Sequence, residues 1–538
     1  MSAVFVPDAR PASPLPVPDL PSGLRILSRL PLANPQEAEA GLNRFLDGLL
    51  LAPPDAEVYL ELLEQARIPL CFVEEERARR YIDKPLPLAA PEAAVFDQVV
   101  ATWLKAARAY AHCARLGTTR DGVEHALRTA LILHRCIYYT GMAIVEHHRA
   151  RRQLPAGLWL EVHGYYASAE EWGVATLALP DALDARGGGT HCAAAYVGLL
   201  LSDMAGPYGL TVHEQSLARR WASRWAPLVG VHPAVPGEPL PQFVVDLMHD
   251  AGLRATADCL QTEHLRRLDG ERLAQQLAQV RLQLQQRVPP GQIGLGEDCT
   301  AGQCQRLLER LIRPWSQVRA PRRFRRRAAS GLARVCTGFE AMHYCVAGTE
   351  FAQPENVSIY SRQDFDRLFA FRHMVDPTQQ LQVEQGQLGY DVDTWEVVNQ
   401  SANGFRLIRS VAGRKMEHGQ LLALCPGDGG DYLLACATWL MQERGGGLVA
   451  GIAALPGMPR AVAARPLAQQ GAHAEMYGRA FLLAAVPAVG SEPSLVVPPG
   501  WYRAGRIVEI HTDAVRQVKL LHVLEDGPDF ERVSFVPV

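Results

Sequence analysis

The chain has 538 residues, of which 48% are hydrophobic and 21% charged, and a formal net charge of −3. These proportions are those of a globular protein of several domains at roughly 100–200 residues each. They exclude a disordered chain, a collagen-like rod and a basic nucleic-acid carrier, so any site for a polyanion must be local.

Residues 1–34 carry Pro7, Pro11, Pro14, Pro16, Pro18 and Pro21, which reads as an extended, mobile arm. It lacks the apolar stretch of a signal peptide. No uninterrupted apolar run of ~18 residues follows anywhere, so no membrane insertion is expected. The eleven cysteines are scattered, none forms C-x-x-C, and several have apolar neighbours. That pattern suits reduced core thiols in a cytoplasmic protein.

From 35 to 320 the apolar residues recur at three- and four-residue steps, as in 91–116, 122–152 and 189–205. Gly or Pro separates these segments, which predicts a helical bundle or solenoid. Leu273, Leu277, Val280 and Leu284 form one stripe. The stripe packs on its own domain or pairs two chains as a short coiled coil through 255–290.

After about 328 the runs become short, apolar or β-branched, with glycine-rich turns between them. The fold class is therefore α+β multidomain. An all-helical N-terminal part is followed by an antiparallel β-barrel over 321–460, with an insertion at 346–392. Further strands over 461–538 form extra edges or a second barrel-like unit. Asn403-Gly404 predicts a type I′ hairpin turn with positive φ.

No nucleophile elbow, phosphate-binding loop or H-E-x-x-H appears. Glu146-His147-His148 and His213-Glu214 read as solvated helix faces. Cys299 and Cys304 lack partners at zinc-like spacing. Neither a catalytic residue nor a metal site is expected.

The dominant local feature is RAPRRFRRR, residues 319–327, with six arginines in nine positions and no acid. Arg322 with Arg326, or Arg323 with Arg327, forms R-x-x-x-R. A guanidinium grips phosphate bidentately and stacks on flat bases. A converging pair therefore suits a ligand with phosphate and purine. The run also fits a solvated linker or a nucleic-acid patch, although no aromatic-studded sheet accompanies it. A second element is Asn399-Gln400-Ser401-Ala402-Asn403-Gly404. Asn399 offers an amide and Ser401 a hydroxyl from one side of a strand, and Gly404 leaves room for close approach.

R-x-x-x-R before a first strand, then N-x-S-x-x-G at a hairpin, resembles the PilZ domain. The strands GQLLALC, LACATWLMQ and LVAGIAAL resemble those that follow in that family. The resemblance covers 321–345 and 393–460. It implies a small β-barrel that binds the bacterial second messenger cyclic di-GMP. Arg322, Arg323, Arg326 and Arg327 would supply the phosphate and guanine clasp, Asn399 and Ser401 would contact guanine, and Gly404 would shape the turn. The helical part resembles the N-terminal region of large proteobacterial PilZ-containing proteins. The implied role is a non-enzymatic receptor, in which ligand binding switches what the helical part presents to a protein partner. The alternative is a scaffold whose barrel no longer binds nucleotide.

Overall fold

The computed structural model describes residues 16–116, 122–183, 189–235, 237–318, 325–354, 390, 392–410, 413–427, 429–467 and 476–538. The chain divides into two compact units, residues 1–84 with 88–321, and residues 322–538 with 85–87.

The first unit begins with a departure from the arm reading. Leu20–Ser28 is a helix (α1), and Val17 before it is buried. Asp19 caps α1 by accepting from the Ser22 amide at 2.8 Å, and Pro21 occupies the first turn, where its missing N–H is harmless. Residues 1–15 lie outside the described part. Helices α2 (Pro35–Leu51), α3 (Ala56–Ala78), α4 (Ala90–Leu116), α5 (Val123–Arg149), α6 (Leu158–Glu171), α7 (Cys192–Met204) and α8 (Val212–Trp225) follow. Between α5 and the last helix of the unit a single core collects Trp159, Tyr166, Tyr196, Trp221, Trp225 and Trp315.

The helical periodicity does not extend through 230–269. There β1 (Gly230–Pro233), β2 (Phe243–Asp246), β3 (Leu253–Ala255) and β4 (Leu265–Asp269) form an antiparallel sheet in the order β1-β4-β2-β3. Strands of three to five residues are too short to show a period in sequence. Helices α9 (Glu271–Gln285) and α10 (Ala301–Trp315) complete the unit. Leu273, Leu277, Val280 and Leu284 on α9 are at most 4% exposed and belong to the unit's own core. The stripe is thus not open to a second chain, and the coiled-coil reading of 255–290 fails.

Glu146, His147 and His148 are also buried, which overturns their reading as a solvated face. Tyr81 donates to Glu146 at 2.6 Å, Arg149 donates to it at 2.9 Å, and His147 Nδ1 lies 2.8 Å from the Ala143 carbonyl oxygen. Tyr81, which follows α3, is 65 residues from Glu146 in sequence. His213 is exposed, as expected, and Glu214 closes a capping box with Thr211 at the start of α8. Among the described residues no group of three or more His, Cys, Asp or Glu could hold a metal ion. No helix there is long and apolar enough to cross a membrane.

The second unit is built on β5 (Arg327–Ala328), β6 (Leu332–Thr337), α11 (Phe339–Ala347), β7 (Asp393–Ser401), β8 (Gly404–Arg409), β9 (Leu421–Pro426), β10 (Leu433–Gln442) and β11 (Leu448–Ala454). The sheet runs β5-β7-β6-β9-β10-β11-β8, and the additional β7–β8 pairing closes the six strands from β7 to β8 into a barrel, with β5 as a short flank on β7. Trp395, Val397, Leu407, Leu440, Leu448 and Ala450 are buried in it. Arg409 is buried too. Its guanidinium stacks on Trp395 and is ion-paired to Asp393, which opposes the lowering of its pKa by burial.

β12 (Pro459–Pro466), β13 (Gly478–Leu483), β14 (Ser494–Val497), β15 (Ile507–His511), β16 (Val515–Asp526) and β17 (Glu531–Pro537) form another closed antiparallel barrel, in the order β12-β13-β14-β17-β16-β15. A shared apolar cluster joins the two barrels through Met342, Leu421, Leu434, Phe481, Val496 and Phe530. At this seam the Leu421 amide donates to Asp529 Oδ1 at 2.9 Å.

Candidate functional site

The two elements singled out in sequence meet through backbone pairing. β5 lies antiparallel on β7, with Arg327 opposite Gln400 and Ala328 opposite Asn399. β6 pairs with the other end of β7, from Leu332 opposite Glu396 to Val335 opposite Asp393. The chain therefore enters the barrel along β7, and the arginine run ends at the N-x-S-x-x-G hairpin. Arg322 and Arg323 lie outside the described residues. Arg325, Arg326 and Arg327 are exposed, and none of their guanidiniums has an ion pair or hydrogen bond among the described residues. Three adjacent guanidiniums with no counter-charge among the described residues attract an anion and repel one another.

Ser401 and Gly404 are register partners that close the hairpin, with Ala402 and Asn403 as its turn. The expected positive φ does not occur, because neither Asn403 nor Gly404 has a left-handed backbone. Glycine is required at 404 for a different reason. A Cβ there would stand 2.6 Å from the Ile452 carbonyl oxygen on β11. The Ser401 hydroxyl lies 3.2 Å from Asn403 Oδ1 and 3.3 Å from the Gly404 carbonyl, and its proton serves one of them at a time.

Asn399 is half-buried, and its Oδ1 is sealed from solvent with no hydrogen-bond partner. Its register partner on β8 is Arg406, whose Nε is orphaned in the same way. Arg406 pairs in turn with Gly451 on β11, and Gly451 with Trp439 on β10. Trp439 covers that glycine so closely that a Cβ would fall 1.7 Å from the indole nitrogen. The Arg406 guanidinium lies over the indole at 5.9 Å. One row across the outer barrel face thus runs Ala328, Asn399, Arg406, Gly451, Trp439. It offers an unmet acceptor, an unmet donor and a cation layered on an aromatic ring. Such a row can read a polar edge and stack a flat ring.

Sequence reading missed Arg406 and Trp439 as members of this face. For Arg406 the signal was present in the alternation of β8, whereas a bulge between Ala437 and Trp439 breaks the period of β10 and hides the outward position of Trp439.

Comparison with known proteins gives consistent findings. Residues 22–235 match the family described as the cyclic-di-GMP receptor FimW, N-terminal domain. Residues 242–367 match its middle PilZ domain, and residues 462–538 its C-terminal beta-barrel domain. The hairpin of Asn399, Ser401 and Gly404 lies outside the three matched stretches. Among curated proteins the chain is similar to the cyclic-di-GMP receptor FimW of Pseudomonas aeruginosa. The two are 24% identical over 90% of this chain and 85% of that protein. No solved structure matches.

Proposed function

We propose that this chain, which belongs to the PilZ-domain proteins, is a receptor for cyclic di-GMP and acts by binding, not catalysis. The observation that carries this reading is the pairing of Arg327 and Ala328 onto Gln400 and Asn399, which brings the basic segment to the amide-and-hydroxyl hairpin. In the proposed complex Arg326 and Arg327, with Arg322 and Arg323 preceding them, neutralise the two phosphates. Asn399 and Ser401 take the polar edge of one guanine. Arg406 and Trp439 form the adjoining stacking surface, and Gly404 keeps the hairpin pressed against β11. Micromolar affinity corresponds to roughly −8 kcal/mol, and charge-assisted hydrogen bonds contribute about 1.5–3 kcal/mol each, so a few contacts of this kind suffice.

The arginine segment also lies at the boundary between the two units in sequence. Its neutralisation by a dianion would favour one arrangement of the chain over another, and the helical unit would present that change to a protein partner in the cytoplasm. Calorimetric titration of the full chain with cyclic di-GMP tests the first step. Saturable heat at micromolar protein supports it, and the absence of heat refutes it. Small-angle scattering with and without saturating ligand tests the second, and an unchanged profile would remove the switch.

A further inference from the structure

We propose that a cavity in the helical unit, framed by α3, α5 and α8, binds a small molecule with a hydrogen-bond-donating head, an apolar body and an anionic end. That is the chemistry of a free apolar amino acid. The cavity measures about 510 Å3, within the ~300–1,000 Å3 usual for small-molecule sites.

Its lining includes His148 and Gln215, only 4% and 8% exposed, and neither His148 Nε2 nor Gln215 Oε1 has a hydrogen-bond partner. The Gln215 amide is fixed in orientation. Its nitrogen donates to the Pro207 carbonyl at 2.8 Å and to the His148 carbonyl at 3.4 Å. Oε1 is left as an acceptor that nothing in the fold satisfies. A buried acceptor without a donor costs free energy, which a ligand N–H recovers. His148 Nε2 is approached by Asp203 Oδ1 at 3.5 Å, from outside the lining, so the acceptor left for a ligand is Gln215 Oε1.

Val145, Leu210 and Val212 give the lining an apolar part, beside a charged part that includes Glu75, Arg79 and Asp83. The cations of the lining are unequal. Arg149 is already saturated by Glu75 and Glu146. Arg219 has no ion pair or hydrogen bond among the described residues. It stands one helical turn beyond Gln215 on α8, and the two are side-by-side neighbours on that face. Glu75 is the acid that acts on Arg219 across the lining, without an ion pair or hydrogen bond to it. An acceptor and a cation not held in an ion pair, so close together, match an ammonium and a carboxylate borne on one carbon, with the side chain left for the apolar part of the lining.

The test is calorimetric titration of the full chain with L-leucine and L-phenylalanine, using N-acetyl-leucine amide as the control probe. Saturable heat is expected from at least one of the amino acids and none from the blocked amide. Gln215→Met and Arg219→Gln should each weaken binding by about tenfold or more, the loss of one good polar contact. Wild-type circular dichroism and an unaltered cyclic di-GMP titration show that the variants are folded. Should Gln215→Met not fold, Arg219→Gln decides alone. No heat from either amino acid, or heat that the folded variants leave unchanged, overturns the proposal.

Discussion

Ala328 and Asn399 are direct partners in the β5–β7 ladder, although 70 residues separate them in the chain. Substitutions on the two sides of this ladder should therefore act on the same ligand. Arg326→Ala with Arg327→Ala should lower cyclic di-GMP affinity by tenfold or more, from the loss of contacts of about 1.5–3 kcal/mol each. Asn399→Ala should lower affinity as well. Because Asn399 Oδ1 satisfies nothing within the fold, that variant should keep wild-type stability in urea. A loss of stability in step with affinity would show the amide to be structural.

Gly404→Ala tests the closeness of the hairpin to β11. Its methyl group would meet the Ile452 carbonyl at 2.6 Å, and backbone cannot swing aside as a side-chain end can. A destabilisation of about 1–3 kcal/mol is expected, read by denaturant unfolding of the barrel unit, together with weakened ligand binding. Neutral behaviour would mean that the strands separate more easily than this packing allows.

Leu277→Ala separates a core leucine from an intermolecular one. Leu277 is 1% exposed within the helical unit's own core, so truncation should cost about 2–5 kcal/mol. Light scattering should show the same molar mass for variant and wild type. A fall in mass without a fall in stability would restore the coiled-coil reading.

Asp529 supplies a pH dependence at the seam between the barrels. Burial pushes its carboxyl up from the ordinary 3.8 to about 6. The folded chain thus holds this proton more tightly than the unfolded chain does. Its contribution is fully present below 3.8, declines as the pH rises through about 6, and is flat above. Asp529→Asn keeps an oxygen to accept from the Leu421 amide and removes the titration. The stability of the variant relative to wild type should grow over that interval and then level off. A difference independent of pH would refute the assignment.

The change from helical to β character near 328 was legible in sequence because period and turn chemistry both change there. The two halves of the candidate site were legible as residue types, since arginine clusters and an amide–hydroxyl pair are recognisable locally. Their meeting was legible only through the resemblance to the PilZ domain, because the β5–β7 pairing spans a long stretch of chain and no local pattern specifies it. Gly404 was identified for the wrong physical reason. Its need arises from Ile452, a residue that only tertiary structure brings near. Glu146, His147 and His148 misled similarly, because Glu146 becomes a core residue once Tyr81 and Arg149 donate to it, and the neighbouring imidazoles are buried with it. Helix α1 was hidden by prolines that disfavour a helix interior but suit its first turn.

The hairpin that carries Asn399 and Ser401 is also the strand pair whose contact closes the ring of the barrel. Its contours are hence decided when the polypeptide acquires its tertiary structure, not at the moment of encounter. Lesions on remote staves of the cylinder, for instance at Leu434 or Ala435, could blunt recognition without touching any contact residue. Genetic screens for unresponsive alleles would then recover interior positions alongside the arginines.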